Sequence, residues 1–145
     1  MDTISSYMTS DHHRCDELFS QAETAASGQD WDAVSADLLV FLDAMRQHFK
    51  MEEDVLFPAF EQRTGMNMGP TQVMRIEHVQ MRELFDAMSD AVKQHDRDEF
   101  LGQAETLLVM MQQHNMKEEQ MLYLMADRSL AGEMEEVLQQ MRALT

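Results

Sequence analysis

Two segments 66 residues apart carry the same spacing of side chains, His48-Phe49-Lys50-Met51-Glu52-Glu53 and His114-Asn115-Met116-Lys117-Glu118-Glu119. On a helix, positions i and i+4 leave one face a turn apart, so in each segment an imidazole and a carboxylate project together. The same offset lays Asp11-His12 on Glu77-His78 and Glu17-Leu18-Phe19 on Glu83-Leu84-Phe85. The chain reads as a duplicated helical hairpin with two histidines per half. Any fold it takes has to bury or solvate both polar faces in the same way.

The rest of the chain supports long helices. Five Gly and two Pro in 145 residues leave few places to break one. Apolar stripes recur at helical spacing through Met8, His12, Cys15, Phe19, Ala22 and Ala26, and through Leu38, Phe41, Met45, His48, Glu52 and Val55. The first helix is expected to be capped near Thr9 or Ser10, and Asp30 to cap the second, which runs until Pro58 bends or stops it. Thr64 to Pro70 is the clear loop, and Pro70 suits the first position of a third helix with the stripe Met74, His78, Met81, Phe85, Met88 and Val92. Asp96 mirrors Asp30 and opens a fourth helix with Phe100, Ala104, Leu107, Met111, His114, Glu118, Met121 and Met125 inward. A short fifth helix, roughly Gly132 to Leu144, presents Met134, Val137, Leu138 and Met141. The expected fold is all-α, an up-down-up-down four-helix bundle with a short fifth C-terminal helix, forming one domain over residues 1–145.

In such a bundle His12, His48, His78 and His114 share one layer. Cys15, Met45, Met81 and Met111 lie a turn to one side, and Met8, Glu52, Met74 and Glu118 a turn to the other. Without a metal, that layer would bury four imidazoles beside two carboxylates, each costing on the order of several kcal/mol unless well paired. The spacing predicts a buried dinuclear metal site built from His12, His48, Glu52, His78, His114 and Glu118. Histidine with carboxylate suits iron, manganese or zinc, and two glutamates from different helices can each bridge two ions. Each ion then has two imidazole nitrogens and two carboxylate oxygens with positions left open, which favours iron and small-molecule chemistry over a closed structural zinc site.

The remaining polar residues are placed less sharply. His13 and His95 are expected to be solvated. Glu53 and Glu119 point about 100° from the ligand face, toward the surface or toward a supporting role. Asp11 and Glu77 are expected on a solvated face, with orientation of a histidine as the alternative. Tyr7, Tyr123 and Trp31 belong to no motif and are read as packing residues, and the sixteen methionines as flexible core filler.

Charge narrows the partners. The 27 acidic against 11 basic residues give a net charge of −16, the wrong sign for nucleic acid or an anionic membrane. The lone Cys15 allows no intrachain disulfide, and no apolar run is long enough to span a bilayer or serve as a leader, so a cytoplasmic protein is expected, as a monomer or small homo-oligomer.

Taken together, Asp11-His12, His48-x-x-x-Glu52-Glu53, Glu77-His78 and His114-x-x-x-Glu118-Glu119, with Leu56-Phe57-Pro58 after the second motif, resemble the hemerythrin-like, or HHE cation-binding, family from Met8 to about Ala126. The resemblance implies a four-helix bundle with two Fe ions in a carboxylate- and oxo- or hydroxo-bridged di-iron centre that binds dioxygen, nitric oxide or peroxide. By motif, His12, His48, His78 and His114 are terminal ligands, and Glu52 and Glu118 are bridges. Oxygen-carrier members present His-x-x-x-His on the third helix, whereas Met74 stands four residues before His78 here. That departure leaves one carrier ligand missing. It keeps two alternatives in view, an oxidoreductase of peroxidase, nitric oxide reductase or iron–sulfur repair type, which needs an electron donor, and iron storage or delivery.

Overall fold

The computed structural model describes all residues, Met1–Thr145. Four long helices form the bundle: α1 (Ile4–Ser27), α2 (Trp31–Met51), α4 (Pro70–Lys93) and α5 (Arg97–Lys117). Two shorter helices, α3 (Phe57–Thr64) and α6 (Tyr123–Ser129), prolong α2 and α5, and α7 (Met134–Arg142) follows a single 3₁₀ turn at Ala131–Glu133. Helix α1 packs on α2 and α5, and α4 on α5 and α2, the closed arrangement of an up-down-up-down bundle. No helix is long and apolar enough to cross a membrane.

The caps explain where the helices begin. Asp30 and Asp96 accept from the backbone N–H groups of Ala33 and Glu99, at 3.2 and 3.0 Å. Helix α1 starts earlier than its polar residues suggest. Thr3 caps it in a reciprocal box with Ser6, which draws Ile4 into the core above Met8, so Thr9 and Ser10 lie inside the helix. The two hairpin turns repeat at the 66-residue offset, with Gln29 and His95 in the left-handed region at φ 56° and 50°. Gly65, at φ 73°, closes α3 in the same region.

Neither α2 nor α5 ends where its regular hydrogen bonding does. Each passes through one π-helical turn, Glu52–Leu56 and Glu118–Leu122, in which the N–H groups of Phe57 and Tyr123 reach back five residues to the carbonyls of Glu52 and Glu118. Pro58 therefore does not stop the helix, which continues to Thr64. Nor does proline explain the turn, because the second one forms with Leu124 at the equivalent position. The consequence is a shift of face by one residue. Leu56, Phe57 and Phe60 are buried and Val55 only partly, while Leu122, Tyr123 and Ala126 are buried and Met121 is 57 % exposed. The inward placement expected for Val55, Met121 and Met125 holds only for an uninterrupted 3.6-residue period.

Two apolar clusters fill the bundle. One holds Phe19, Phe41, Phe49, Phe85 and Phe100 with Cys15, Met45, Met81 and Met111. The other, at the opposite end, holds Ile4, Met8, Met74, Leu56, Phe57, Phe60, Tyr123 and the inner face of α7. The buried polar layer lies between them.

Deleting Gln120, an exposed residue inside the second π turn, should return that turn to α-helical spacing without moving Tyr123 off the inner face. We expect a folded protein with a Tm lower by about 5 °C, equivalent to about 1–2 kcal/mol. Deleting the exposed Thr106 from the regular part of α5 should rotate His114 and Glu118 by about 100° and abolish cooperative unfolding. Thermal melts followed by circular dichroism compare the two, and equal losses would contradict the register assignment.

Candidate metal centre

The layer between the two clusters contains His12 from α1, His48 from α2, His78 from α4 and His114 from α5, each 0–3 % exposed. Glu52 and Glu118, the first residues of the π turns, are completely buried beside them. The structure thus brings together all six residues that the spacing placed in one site. Ring centroids are 4.6 Å apart for His12 and His48 and 5.0 Å apart for His78 and His114.

Each imidazole is fixed from outside by a carboxylate at its Nδ1: His12 by Glu119 at 2.7 Å, His48 by Asp11 at 2.7 Å, His78 by Glu53 at 2.6 Å and His114 by Glu77 at 2.8 Å. The pattern repeats the 66-residue offset throughout. With Nδ1–H donating outward, every Nε2 faces inward, where a carboxylate–imidazole pair makes it a better metal donor. Asp11, Glu53, Glu77 and Glu119 are consequently only partly exposed. The solvated face expected for Asp11 and Glu77 is not observed, because each lies across from a histidine of the next helix. His13 and His95 are exposed, as expected, with His95 stacked on Trp31 at 5.2 Å.

The inner atoms leave bonds unmade. Glu52 Oε1, Glu118 Oε2, His78 Nε2 and His114 Nε2 are buried with no hydrogen-bond partner. His78 Nε2 and Glu52 Oε1 lie 3.1 Å apart without hydrogen-bond alignment, and His114 Nε2 is 3.3 Å from Glu118 Oε1. Four orphaned donor atoms in one place are costly in an apolar interior unless something binds them. Glu52, His78, His114 and Glu118 form one group able to hold a metal ion, and His12, His48 and Glu118 a second. Glu118 belongs to both groups, so the imidazole and carboxylate donors on either side of it could hold a metal ion.

Tyr123 also enters the centre, which no spacing argument foretold. Its hydroxyl, fully buried, lies 2.7 Å from Glu52 Oε2, 3.0 Å from Glu118 Oε1, 3.2 Å from His12 Nε2 and 3.5 Å from His48 Nε2. Five residues beyond Glu118, it would point about 140° away on a regular helix, and the π turn brings it round. Its counterpart at the 66-residue offset, Phe57, stacks instead on His78 with centroids 5.8 Å apart. Phe49 lies closer on the same ring, at 3.9 Å.

Electrostatics follow from this crowding. Burial alone would lower the pKa of His12 and His114, but the facing Glu118 and Glu52 and the outer Glu119 and Glu77 outweigh it and raise both to about 9. His78 is raised for the same reason, by Glu52 and Glu53. Burial and the neighbouring Glu118 charge raise Glu52, while Glu118, also opposed by burial, is held well down by His114 and His12. Glu53, despite partial burial, is brought down to about 2 by His78 and by the two-pronged contact of Arg82 at 2.9 and 3.0 Å. Burial drives the Tyr123 phenol well above its usual range, assisted by Glu118 and Glu52. The Cys15 thiol, buried a turn away, is pushed up to about 12.

Fold and site together define a helical-bundle protein whose buried imidazoles and glutamates could hold a metal cation. The chain belongs to the family described as hemerythrin HHE cation binding domain, whose model matches residues 3–126. Neither the curated proteins nor the solved structures give a match to this chain.

Metal uptake should release protons. At pH 7 the raised values leave the metal-free His12 and His114 protonated, and a metal requires the Nε2 lone pair, so calorimetry in buffers of different ionisation enthalpy should register at least about two protons released per chain, and apparent affinity should rise with pH to about 9. The same raised values stabilise the metal-free fold fully below about 6.5, and that contribution disappears as pH rises through about 9. Glu53 acts in the other direction, contributing above its ordinary value near 4.5 and losing that contribution as pH falls towards about 2. Urea melts of metal-free protein between pH 6 and 10 that show no decline in stability would contradict the histidine assignment.

Proposed function

We propose that this protein is a non-heme di-iron protein that binds dioxygen, nitric oxide or peroxide for sensing, scavenging or storage. The observation that carries the reading is the pair of histidine couples that both meet buried Glu118, with Glu52 beside them and four donor atoms left without partners. His12, His48, His78 and His114 would be the terminal ligands, and Glu52 and Glu118 would link the two ions. Nitrogen and carboxylate donors with positions to spare suit iron rather than a closed zinc site. Iron in that setting supplies reversible binding or reduction of small oxygen and nitrogen ligands.

The chain's own residues govern access and orientation. With its ligands 0–3 % exposed, the centre admits only small molecules. The four outer carboxylates keep the rings turned inward and balance the charge of the ions. Two apolar clusters exclude water from both ends of the layer. Those features support ligand binding in a dry site, where an adduct is protected from proton transfer.

Protein purified without a metal-affinity tag should contain about two irons per chain by elemental analysis. One zinc, or no metal with the fold intact, would overturn the reading. Glu52→Ala should lose iron almost entirely, whereas Glu53→Ala, which removes only the support of His78, should weaken iron binding by about 10–100-fold. Reversible nitric oxide and oxygen spectra without consumption would establish a binding protein. Turnover of peroxide or nitric oxide well above that of His114→Ala would instead make the site that of an enzyme.

A further inference from the structure

The geometry points to Tyr123 as a seventh protein ligand, whose phenol oxygen fills a coordination position on the metal held by His12 and His48 and leaves the metal held by His78 and His114 as the one that takes an exogenous small ligand. The inference rests on the dinuclear reading above and deepens it.

Around an octahedral ion, donors lie about 2.0–2.2 Å from the metal, so neighbouring donors sit about 3 Å from one another. The Tyr123 oxygen meets that spacing against every donor of the His12–His48 half, at 2.7, 3.0, 3.2 and 3.5 Å from Glu52, Glu118, His12 and His48. A phenol that merely packed would need one partner, and this one is aimed at four ligand atoms carried by three helices, its own included. The other half has no such group. At the equivalent position of the repeat stands Phe57, which stacks on His78 and offers no donor, and in this half both imidazole nitrogens, His78 Nε2 and His114 Nε2, have no hydrogen-bond partner. At this matched position of the repeat only the His12–His48 half carries a hydroxyl. Coordination to ferric iron breaks the phenol O–H bond, leaves the electron pair on oxygen as the donor pair and releases the proton to solvent.

The test uses the full chain loaded with iron and oxidised to the ferric state, with iron counted in every sample. The wild type should show a phenolate-to-iron charge-transfer band in the visible, with Raman ring modes that shift when the tyrosines are ring-deuterated. Saturating azide should leave those modes in place. Tyr123→Phe should keep two irons and lose the band. Phe57→Tyr should add a donor to the open half and weaken azide binding at least tenfold. If Tyr123→Phe does not fold, the labelled wild-type spectrum and Phe57→Tyr still decide. Two irons per chain with no phenolate modes, or modes that azide removes, overturn this assignment alone, whereas fewer than two irons overturns it together with the dinuclear reading.

Discussion

The burial of six ionisable side chains in one layer is the constraint to which the rest of the bundle answers. Such groups cannot be left in an apolar interior singly, and here each is tied on at least one side. The imidazoles are held from outside by carboxylates, and the glutamates face the imidazoles from inside. Both apolar clusters can then pack to the edge of the layer. The long helices supply the rigid frame and place Glu52 and Glu118 one regular turn beyond His48 and His114, and the π turn after Glu118 supplies the local departure from regularity that brings Tyr123 to where four helices converge.

The outer ring shows how a chain of net charge −16 distributes its few cations. Arg14 lies against Asp11, Arg82 against Glu53 and Lys117 against Glu77, so three of the four histidine-orienting carboxylates are themselves paired. Exposed pairs of this kind contribute little to stability, but they fix the carboxylate and through it the ring. Glu119, which orients His12, pairs with that histidine alone. The His12 corner is the one whose support is least constrained from outside, and it lies in the half that contains Tyr123.

Much of the site was legible in the sequence, because it depends on helical periodicity and on a repeat. The six central residues follow from the His-x-x-x-Glu spacing and the 66-residue offset, and the flanking methionine layers fall where the antiparallel arrangement puts them. Tyr123 was not legible. It lies beyond a π turn, and a constant 3.6-residue period places Met121 inward in its stead. The nearest signal was the alignment of Tyr123 with Phe57, an aromatic five residues after each glutamate. Asp11 and Glu77 were misplaced for another reason: their partners, His48 and His114, are on the neighbouring helix, and a single helical wheel shows only which face a residue leaves. The start of α1 was missed because the Thr3–Ser6 box outweighs the later Thr9 and Ser10.

The duplication also sets the order in which the centre can come into being. His12 is bonded to Glu119 and Glu118, and Ser5 to Asp127, contacts that join the beginning of the chain to its last quarter. A half-length chain would contain one hairpin, two of the four buried histidines and one of the two buried glutamates, with the apolar faces meant for the other half uncovered. Neither metal group is complete within it, since both require Glu118. Both candidate groups are therefore complete only once the second hairpin has packed against the first. A fold that needs both halves before its donor atoms converge leaves no partial site in a half-built chain.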